Sequence, residues 1–100
     1  MHNYKKLNVW IASISLVKNV YKLTRKFPKE ELYVLTQQLR RAVISIPSNI
    51  AEGAGRNSNA QFKNFLQVST GSCYEVETQL IIAKELDFVM KMNHNLQKTL

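Results

Sequence analysis

Five basic side chains near the start of the sequence are the residues best placed to do chemistry. Lys18, Lys22 and Lys26 repeat at four-residue intervals, and Arg25 and Lys29 lie beside them. Residues four apart share one helix face, where like charges repel by about 0.2–0.5 kcal/mol per pair. Such a patch is typical of a surface that binds a polyanion, because each neutralised phosphate releases counterions. The alternative is a solvated polar face that keeps the protein soluble.

Charge is segregated along the rest of the chain as well. The whole sequence has 14 Lys and Arg against 7 Asp and Glu, a net charge of +7. All seven charged residues in positions 1–29 are basic, whereas positions 57–90 carry a net charge of −2. No zinc finger or known RNA-binding motif accompanies the basic segment. The expected contact is therefore with nucleic-acid backbone and shape, not with bases.

No group of residues forms a catalytic or metal-binding set. Cys73 is the single cysteine and falls on an apolar helical stripe, so we expect a packed thiol instead of a nucleophile. His2 and His94 are far apart in the chain, which gives no metal-ligand spacing. Arg40 and Arg41 are expected to pair with carboxylates of the helix predicted after residue 58. We expect a non-enzymatic protein without cofactor or metal.

The first predicted helix, from Leu7 to Phe27, contains neither Gly nor Pro. Its apolar residues form two stripes that together cover about two thirds of the helix surface, more than the ~100° arc of a one-sided surface helix. Either the helix is central in its own bundle, or one stripe packs internally and the other against a neighbouring chain. The first stripe is Leu7, Trp10, Ile11, Ile14, Val17 and Tyr21, and the second is Val9, Leu16, Val20, Leu23 and Phe27.

The second predicted helix begins at Pro28 and ends at Gly53 and Gly55. Proline suits a first helical turn, where its missing N–H would have no partner. Pro47 interrupts the apolar stripe of this helix, but the stripe resumes in phase at Ile50. The pattern therefore predicts a kinked helix and not two separate ones.

Two short patterns predict local helix caps. Asn49 and Glu52 are spaced to recap the chain after the kink. Ser58 and Gln61 have the spacing of a capping box, with the serine as the cap. The second box predicts the start of a third helix.

The third predicted helix runs from about Asn59 to near Met90. Gly71 lies among small residues in its middle, and glycine costs a helix about 1 kcal/mol relative to alanine. We therefore expect another backbone to approach closely at Gly71. Residues 91–100 read as a turn and the opening of a short fourth helix. The sequence predicts one all-α domain over residues 1–100.

A more specific pattern extends from Phe27 to Arg56 and centres on the run Asn-Ile-Ala-Glu-Gly at positions 49–53. With its flanks on the first and third predicted helices, it includes ten residues of note. Over residues 7–90 the chain resembles the bacterial four-helix bundle proteins known as 23S rRNA intervening-sequence proteins. The resemblance implies structural roles for these ten residues. They are Trp10, Pro28, Arg40, Arg41, Pro47, Asn49, Glu52, Gly53, Gly71 and Glu75.

The resemblance implies an up-down four-helix bundle that assembles into a ring, typically a homopentamer, and implies no established activity. A related branch, the accessory variability determinants of diversity-generating retroelements, binds a reverse transcriptase and nucleic acid. Two features depart from the family pattern. Residues 91–100 give a shorter fourth helix, and Cys73 stands where an aliphatic or small residue is usual.

Two functions remain open at this stage. The first is an oligomeric protein that binds RNA or DNA backbone through the five basic residues. The second is a scaffold that docks a protein partner such as a reverse transcriptase, with basicity as an aid. The sequence has no membrane-spanning run and no signal peptide, so a soluble cytoplasmic protein is expected.

Overall fold

A computed structural model describes residues 2–89, and three α-helices carry most of this segment. The helices are α1 (Asn8–Thr24), α2 (Leu35–Ala54) and α3 (Asn59–Glu85). Short 3-10 turns occupy Tyr4–Lys6 and Lys29–Glu31; the second is called the connector turn below. No strand occurs among the described residues, so the all-α class is confirmed. The predicted fourth helix falls within residues 91–100, outside the described segment.

The middle helix, α2, organises the packing. It contacts both α1 and α3, whereas within residues 2–89 no Cα of α1 lies within 8 Å of a Cα of α3. Its fully buried residues include Leu39, Val43 and Ile50, which belong to one core cluster with Val20 of α1 and Leu80 of α3. Burying each such side chain contributes about 1.5–3 kcal/mol. Because α2 has two packed sides, its apolar stripe provides the largest share of the core.

The two apolar stripes of α1 have different environments. Leu16, Val20 and Leu23 of the second stripe are buried in the core, but Val9 at the start of the same stripe is 51% exposed. Most of the first stripe, including Trp10, lies half-buried at the core edge. The second stripe therefore packs into the core, except at Val9. This agrees with the interpretation in which one stripe packs internally. Contact of the other stripe with a second chain stays a prediction.

The start of the second helix was predicted wrongly. The helix does not begin at Pro28: the connector turn follows that proline, and α2 begins at Leu35. Tyr33 is 82% exposed, and the backbone of Val34 is not helical, with φ −120° and ψ −103°. A 3-10 turn is a common connector between helices. Here the chain must reverse direction after α1, and Leu35 is the first residue after the turn to reach the core.

Pro47 lies inside α2, as the phase of the apolar stripe predicted. The local cap after it is wrong, because the helix continues without a break and leaves no new N-terminus to cap. Instead, Asn49 Nδ2 donates a hydrogen bond to the backbone oxygen of Ser45 at 2.8 Å. Side chains that bond to the preceding turn in this way are common inside bent helices.

Gly55 caps the end of α2 as predicted, but the roles expected of Gly53 and Gly71 are wrong. Gly53 does not end α2 but is buried within it, and a Cβ at this position would lie 2.6 Å from Cβ of Phe65. Gly71 was expected at a close approach, yet a Cβ there would meet no described atom within 4 Å. The close approach of α2 and α3 therefore occurs at Gly53, and α2 ends one residue later with Gly55 as its cap.

The start of α3 is confirmed and its end is corrected. Ser58 Oγ accepts a hydrogen bond from the Gln61 N–H at 3.1 Å. The helix stops at Glu85, five residues before the predicted end. Asp87 adopts a left-handed φ of 58°, and the Phe88 N–H donates to the backbone oxygen of Ala83 at 3.0 Å. This is a Schellman ending, built without the glycine that would have marked it in the sequence.

Candidate nucleic-acid interface

Three of the five predicted basic residues line one open groove on α1. This basic groove has a volume of about 580 Å³, and Lys18, Lys22 and Arg25 project along it. These three residues lie opposite the buried side of α1, because helix geometry places them about half a turn from the core residues. The remaining lining residues are Ser15, Val17, Asn19 and Tyr21 of α1 and Ile44 of α2.

The other two predicted residues lie beside this groove. Lys26 is exposed and does not line it, whereas Lys29 lines a neighbouring cavity of about 350 Å³. Arg25 lines both, so the two concavities meet at its side chain. Four of the five predicted residues therefore line two concavities that share Arg25, whereas Lys26 lines neither.

No carboxylate of the described residues pairs with the cations of this surface. The ion pair found among the described residues joins Arg56 to Glu52 at 2.9 Å, near the end of α2. None of the five basic residues has a described Asp or Glu oxygen within 4.0 Å. An uncompensated cluster of cations creates a positive potential that attracts anions.

The neighbouring cavity, called the Arg40 cavity below, lies where α1, the connector turn and α2 meet. Arg40 Nε donates a hydrogen bond to Thr24 Oγ1 at 2.9 Å. The guanidinium carbon of Arg40 lies 4.5 Å from the centre of the Tyr21 ring. Thr24 Oγ1 in turn donates to the backbone oxygen of Val20 at 2.9 Å. Arg40 is thereby held on two sides by α1. The residues that line the Arg40 cavity are Thr24, Arg25, Phe27, Pro28, Lys29, Leu32, Thr36 and Arg40.

The expected ion pairs of Arg40 and Arg41 with α3 are wrong. Arg40 belongs to the contact between α1 and α2, as its bond to Thr24 shows. Arg41 lines a cavity together with Glu75, but the two side chains are not within 4.0 Å of each other. The spacing of residues along α2 cannot tell which neighbouring helix a long arginine side chain will reach.

Polar side chains join α2 and α3 in place of those ion pairs. The hydroxyl oxygens of Ser45 and Ser72 are 2.6 Å apart, and Ser69 Oγ donates to the backbone oxygen of Ile46 at 3.0 Å. Gln79 Nε2 donates to Gln38 Oε1 of α2 at 3.5 Å and to Glu75 Oε2 within α3 at 3.1 Å, while its buried Oε1 has no partner among the described residues. Gln79 was not singled out from the sequence. Its position next to Leu80, a residue of the apolar stripe, could have indicated that its side chain is buried.

Trp10 and Cys73 both lie beside the core, in environments that indicate packing roles. Trp10 packs edge-on against Tyr4 with ring centres 5.3 Å apart, at the edge of the core. Cys73 is half-buried beside the core, and burial raises the pKa of its thiol above the ordinary value. A protonated thiol is a weak nucleophile, so this environment supports a packing role. Among residues 2–89, no three His, Cys, Asp or Glu side chains gather closely enough to hold a metal ion.

The fold and this surface define a class: a small helical bundle with a basic outer face. The family model of the 23S rRNA-intervening sequence protein matches residues 5–99, and the chain belongs to this family. No curated protein matches the chain. Within the described segment, no helix has the length and apolarity needed to cross a membrane. The resemblance drawn from the Asn-Ile-Ala-Glu-Gly run is therefore confirmed.

Proposed function

We propose that this protein is a non-enzymatic nucleic-acid-binding protein that contacts the phosphate backbone of RNA or DNA through α1. The observation that carries the proposal is the convergence of Lys18, Lys22 and Arg25 on one open groove without a neutralising carboxylate. From Lys18 to Arg25 the helix rises by seven residue steps, or about 10 Å. Duplex DNA carries about six phosphate charges over that length.

The polar residues of the basic groove support backbone contact as well. Ser15, Asn19 and Tyr21 lie among the cations and can donate hydrogen bonds to phosphate or sugar oxygens. The groove is a feature of one exposed helix side, with no deep slot that would select a base. We therefore infer binding that depends on charge and shape and varies little with sequence.

Assembly is the second part of the proposal. A ring of identical chains, five on the family pattern, would repeat the basic groove and multiply its contacts with one polyanion. Large apolar side chains left exposed on α3 and at its C-cap support such an assembly, because a second chain would remove this apolar surface from water. They are Val68, Tyr74, Ile81, Ile82 and Leu86. The cytoplasm is the compartment we propose.

The same apolar residues favour one alternative function. They would equally suit a scaffold that docks a protein such as a reverse transcriptase, with the basic groove as an electrostatic aid. The two functions differ in their response to salt. Phosphate contacts make affinity fall steeply with salt, whereas an apolar interface does not.

The test compares two variants of equal charge. One changes Lys18, Lys22, Arg25 and Lys26 to Gln, and the control changes four exposed lysines elsewhere to Gln. Binding of a labelled RNA hairpin and a DNA duplex is measured by fluorescence anisotropy between about 50 and 200 mM salt. The control lysines are Lys5, Lys6, Lys63 and Lys84.

The groove variant should bind all sequences more weakly, with a salt slope reduced by about 0.7–0.9 for each phosphate that is no longer neutralised. The control should keep most of the affinity, and both variants should keep the wild-type mass in light scattering. Equal reductions of affinity in the two variants would show that net charge alone matters. Unchanged binding by the groove variant would leave the groove as solvated surface.

A further inference from the structure

We infer that the Arg40 cavity binds the phosphate group of a nucleotide, with Arg40 as the anchoring residue. The inference rests on the proposed function, because Arg25 belongs both to this cavity and to the basic groove. It adds a defined pocket to a surface that is otherwise open. It also assigns a binding role to Arg40, which the sequence pattern marks as structural.

Arg40 is oriented before any ligand arrives. Its Nε is fixed by Thr24 Oγ1, and its guanidinium plane lies over Tyr21. The side-chain hydrogen bond to Thr24 uses Nε, which leaves the two terminal nitrogens for a bidentate contact. A guanidinium presents its donors in a rigid fork that matches two phosphate oxygens.

The charge of this cavity is unbalanced. Arg25 and Lys29 line it together with Arg40, and no described carboxylate lies within 4.0 Å of any of the three. The nearest acids in sequence, Glu30 and Glu31, do not line it. A half-buried cation without a counter-charge is costly, and the Tyr21 ring offsets only part of that cost. An anion in the cavity would supply the missing partner.

The apolar wall indicates that the anion is attached to a flat, less polar group. Phe27, Pro28 and Leu32 line the same cavity, and Leu32 is 47% exposed although it is a large aliphatic residue. A base or sugar can cover this wall while its phosphate meets the cations. The volume of about 350 Å³ lies at the lower end of the roughly 300–1,000 Å³ typical of small-ligand sites. A nucleotide, free or at an exposed position of a strand, has both parts.

Titration of the ¹⁵N-labelled full chain at constant ionic strength tests the site. The probes are uridine 5′-monophosphate, inorganic phosphate and uridine, and the signals are the Arg40 Nε resonance and the Thr36 backbone amide. We expect saturable shifts with the nucleotide, and weaker responses to each of its parts. Displacement by a short single-stranded oligouridylate would assign the natural source to a strand, and its failure would assign it to a free nucleotide.

Two variants with a matched control complete the test. Arg40→Lys keeps the charge but loses the fork, so nucleotide affinity should fall about tenfold. Lys29→Gln, on the exposed connector turn, should weaken it about threefold without unfolding risk. The control, Lys63→Gln with Lys84→Gln, removes charge on α3 and should leave the affinity within about twofold. Folding of each variant is checked by its dispersed amide spectrum.

Three results would overturn the inference. These are the absence of a saturable shift in the folded wild-type chain, wild-type affinity in both Arg40→Lys and Lys29→Gln, and inorganic phosphate binding as tightly as the nucleotide. Its failure is separable from that of the proposed function. If the basic-groove variant loses RNA binding while no nucleotide shift occurs, the cavity alone is wrong. A nucleotide shift with unchanged RNA binding by that variant supports the cavity and contradicts the groove.

Discussion

The contact between α2 and α3 and the contact between α1 and α2 are built from different residues. Between α2 and α3, the glycine at 53 allows close approach, and serine hydroxyls and buried aliphatic side chains fill the seam. Between α1 and α2, a charged arginine reaches across to Thr24 and Tyr21, and two concavities remain open beside it. The contact between α2 and α3 also borders a cavity of about 310 Å³, but Arg41 and Glu75 both line it, so its charge is mixed. The two concavities beside the contact between α1 and α2 have cations and no carboxylate in their linings.

Their connections differ in the same way. A four-residue turn, 55–58, joins α2 to α3, and Ser58 caps the new helix directly. Ten residues, 25–34, join α1 to α2, and they include the connector turn and several exposed apolar side chains. A short, capped connection fixes two helices as neighbours. The longer connection instead contributes side chains to the surface that we propose as functional.

The largest expected effect comes from truncating a core side chain between α2 and α3. Leu80→Ala should lower the free energy of unfolding by about 2–5 kcal/mol, because Leu80 is fully buried and its truncation leaves a cavity. Ile81→Ala is the matched control, since Ile81 is 53% exposed on the other side of α3. Urea denaturation at two protein concentrations measures both.

The control also tests assembly. A small, concentration-independent effect of Ile81→Ala would mean that the outer side of α3 faces solvent. A destabilisation that grows on dilution would place Ile81 in an interface between chains, because the stability of an oligomer depends on protein concentration.

The next effect compares Gly53, at the close approach of α2 and α3, with Gly71 on the exposed side of α3. Gly53→Ala should destabilise the protein by about 1–3 kcal/mol, since the added methyl meets Phe65 at 2.6 Å and Phe62 at 3.1 Å. Gly71→Ala should instead stabilise α3 by up to about 1 kcal/mol, because the site is open and alanine is the better helix former. Thermal unfolding of both variants distinguishes the sites. A stable Gly53→Ala would contradict the close approach, and a destabilised Gly71→Ala would indicate a second chain at that position.

A smaller effect is expected at the charged seam. Thr24→Val keeps the side-chain shape but removes the acceptor of the Arg40 Nε hydrogen bond, at a cost of about 0.5–1.5 kcal/mol. It should also weaken nucleotide binding, because Arg40 loses its orientation. Thr70→Val is the control, since its hydroxyl is exposed and bonds within α3 to the backbone oxygen of Leu66. Equal nucleotide affinities in the two variants would contradict a positioning role for Thr24.

The smallest effect is the pH dependence associated with Cys73. Burial raises the pKa of this thiol, so in mildly alkaline solution the unfolded chain loses a proton that the folded protein retains. Stability should therefore fall as the pH rises through the ordinary thiol pKa, and level off above the raised value. Cys73→Ala should remove this slope, and a thiol reagent should label the native protein more slowly than the unfolded chain. An identical slope in wild type and Cys73→Ala would assign the effect to other groups.

Much of the fold followed from apolar periodicity and local caps. The second stripe of α1, the helical course through Pro47 and the cap at Ser58 depend on neighbours in sequence, so they were predictable. The break before Leu35 was not predictable from the sequence. The apolar pattern continues at helical spacing through the preceding residues, although Leu32, Tyr33 and Val34 are exposed and do not pack into the core. The end of α3 was also missed, since Asp87 supplies a left-handed turn that glycine usually signals.

The candidate site divides in the same way. The grouping of Lys18, Lys22 and Arg25 on one side of α1 was predicted from their spacing, and the groove places them together. The partners of Arg40 were not predicted, because a long side chain near the middle of α2 can reach either neighbouring helix. Only the packing of α1 against α2 brings Thr24 and Tyr21 to it.

The sequence alone was enough to predict the all-helical class, the family and the side of α1 that carries charge. Each of these depends on residue types at short, regular spacings. The tertiary structure alone decided that Gly53 and not Gly71 is the point of close approach, and that Arg40 completes a cavity with α1. Those outcomes depend on which helix sides face each other, and that choice reflects the packing of the whole core instead of the periodicity of any one helix.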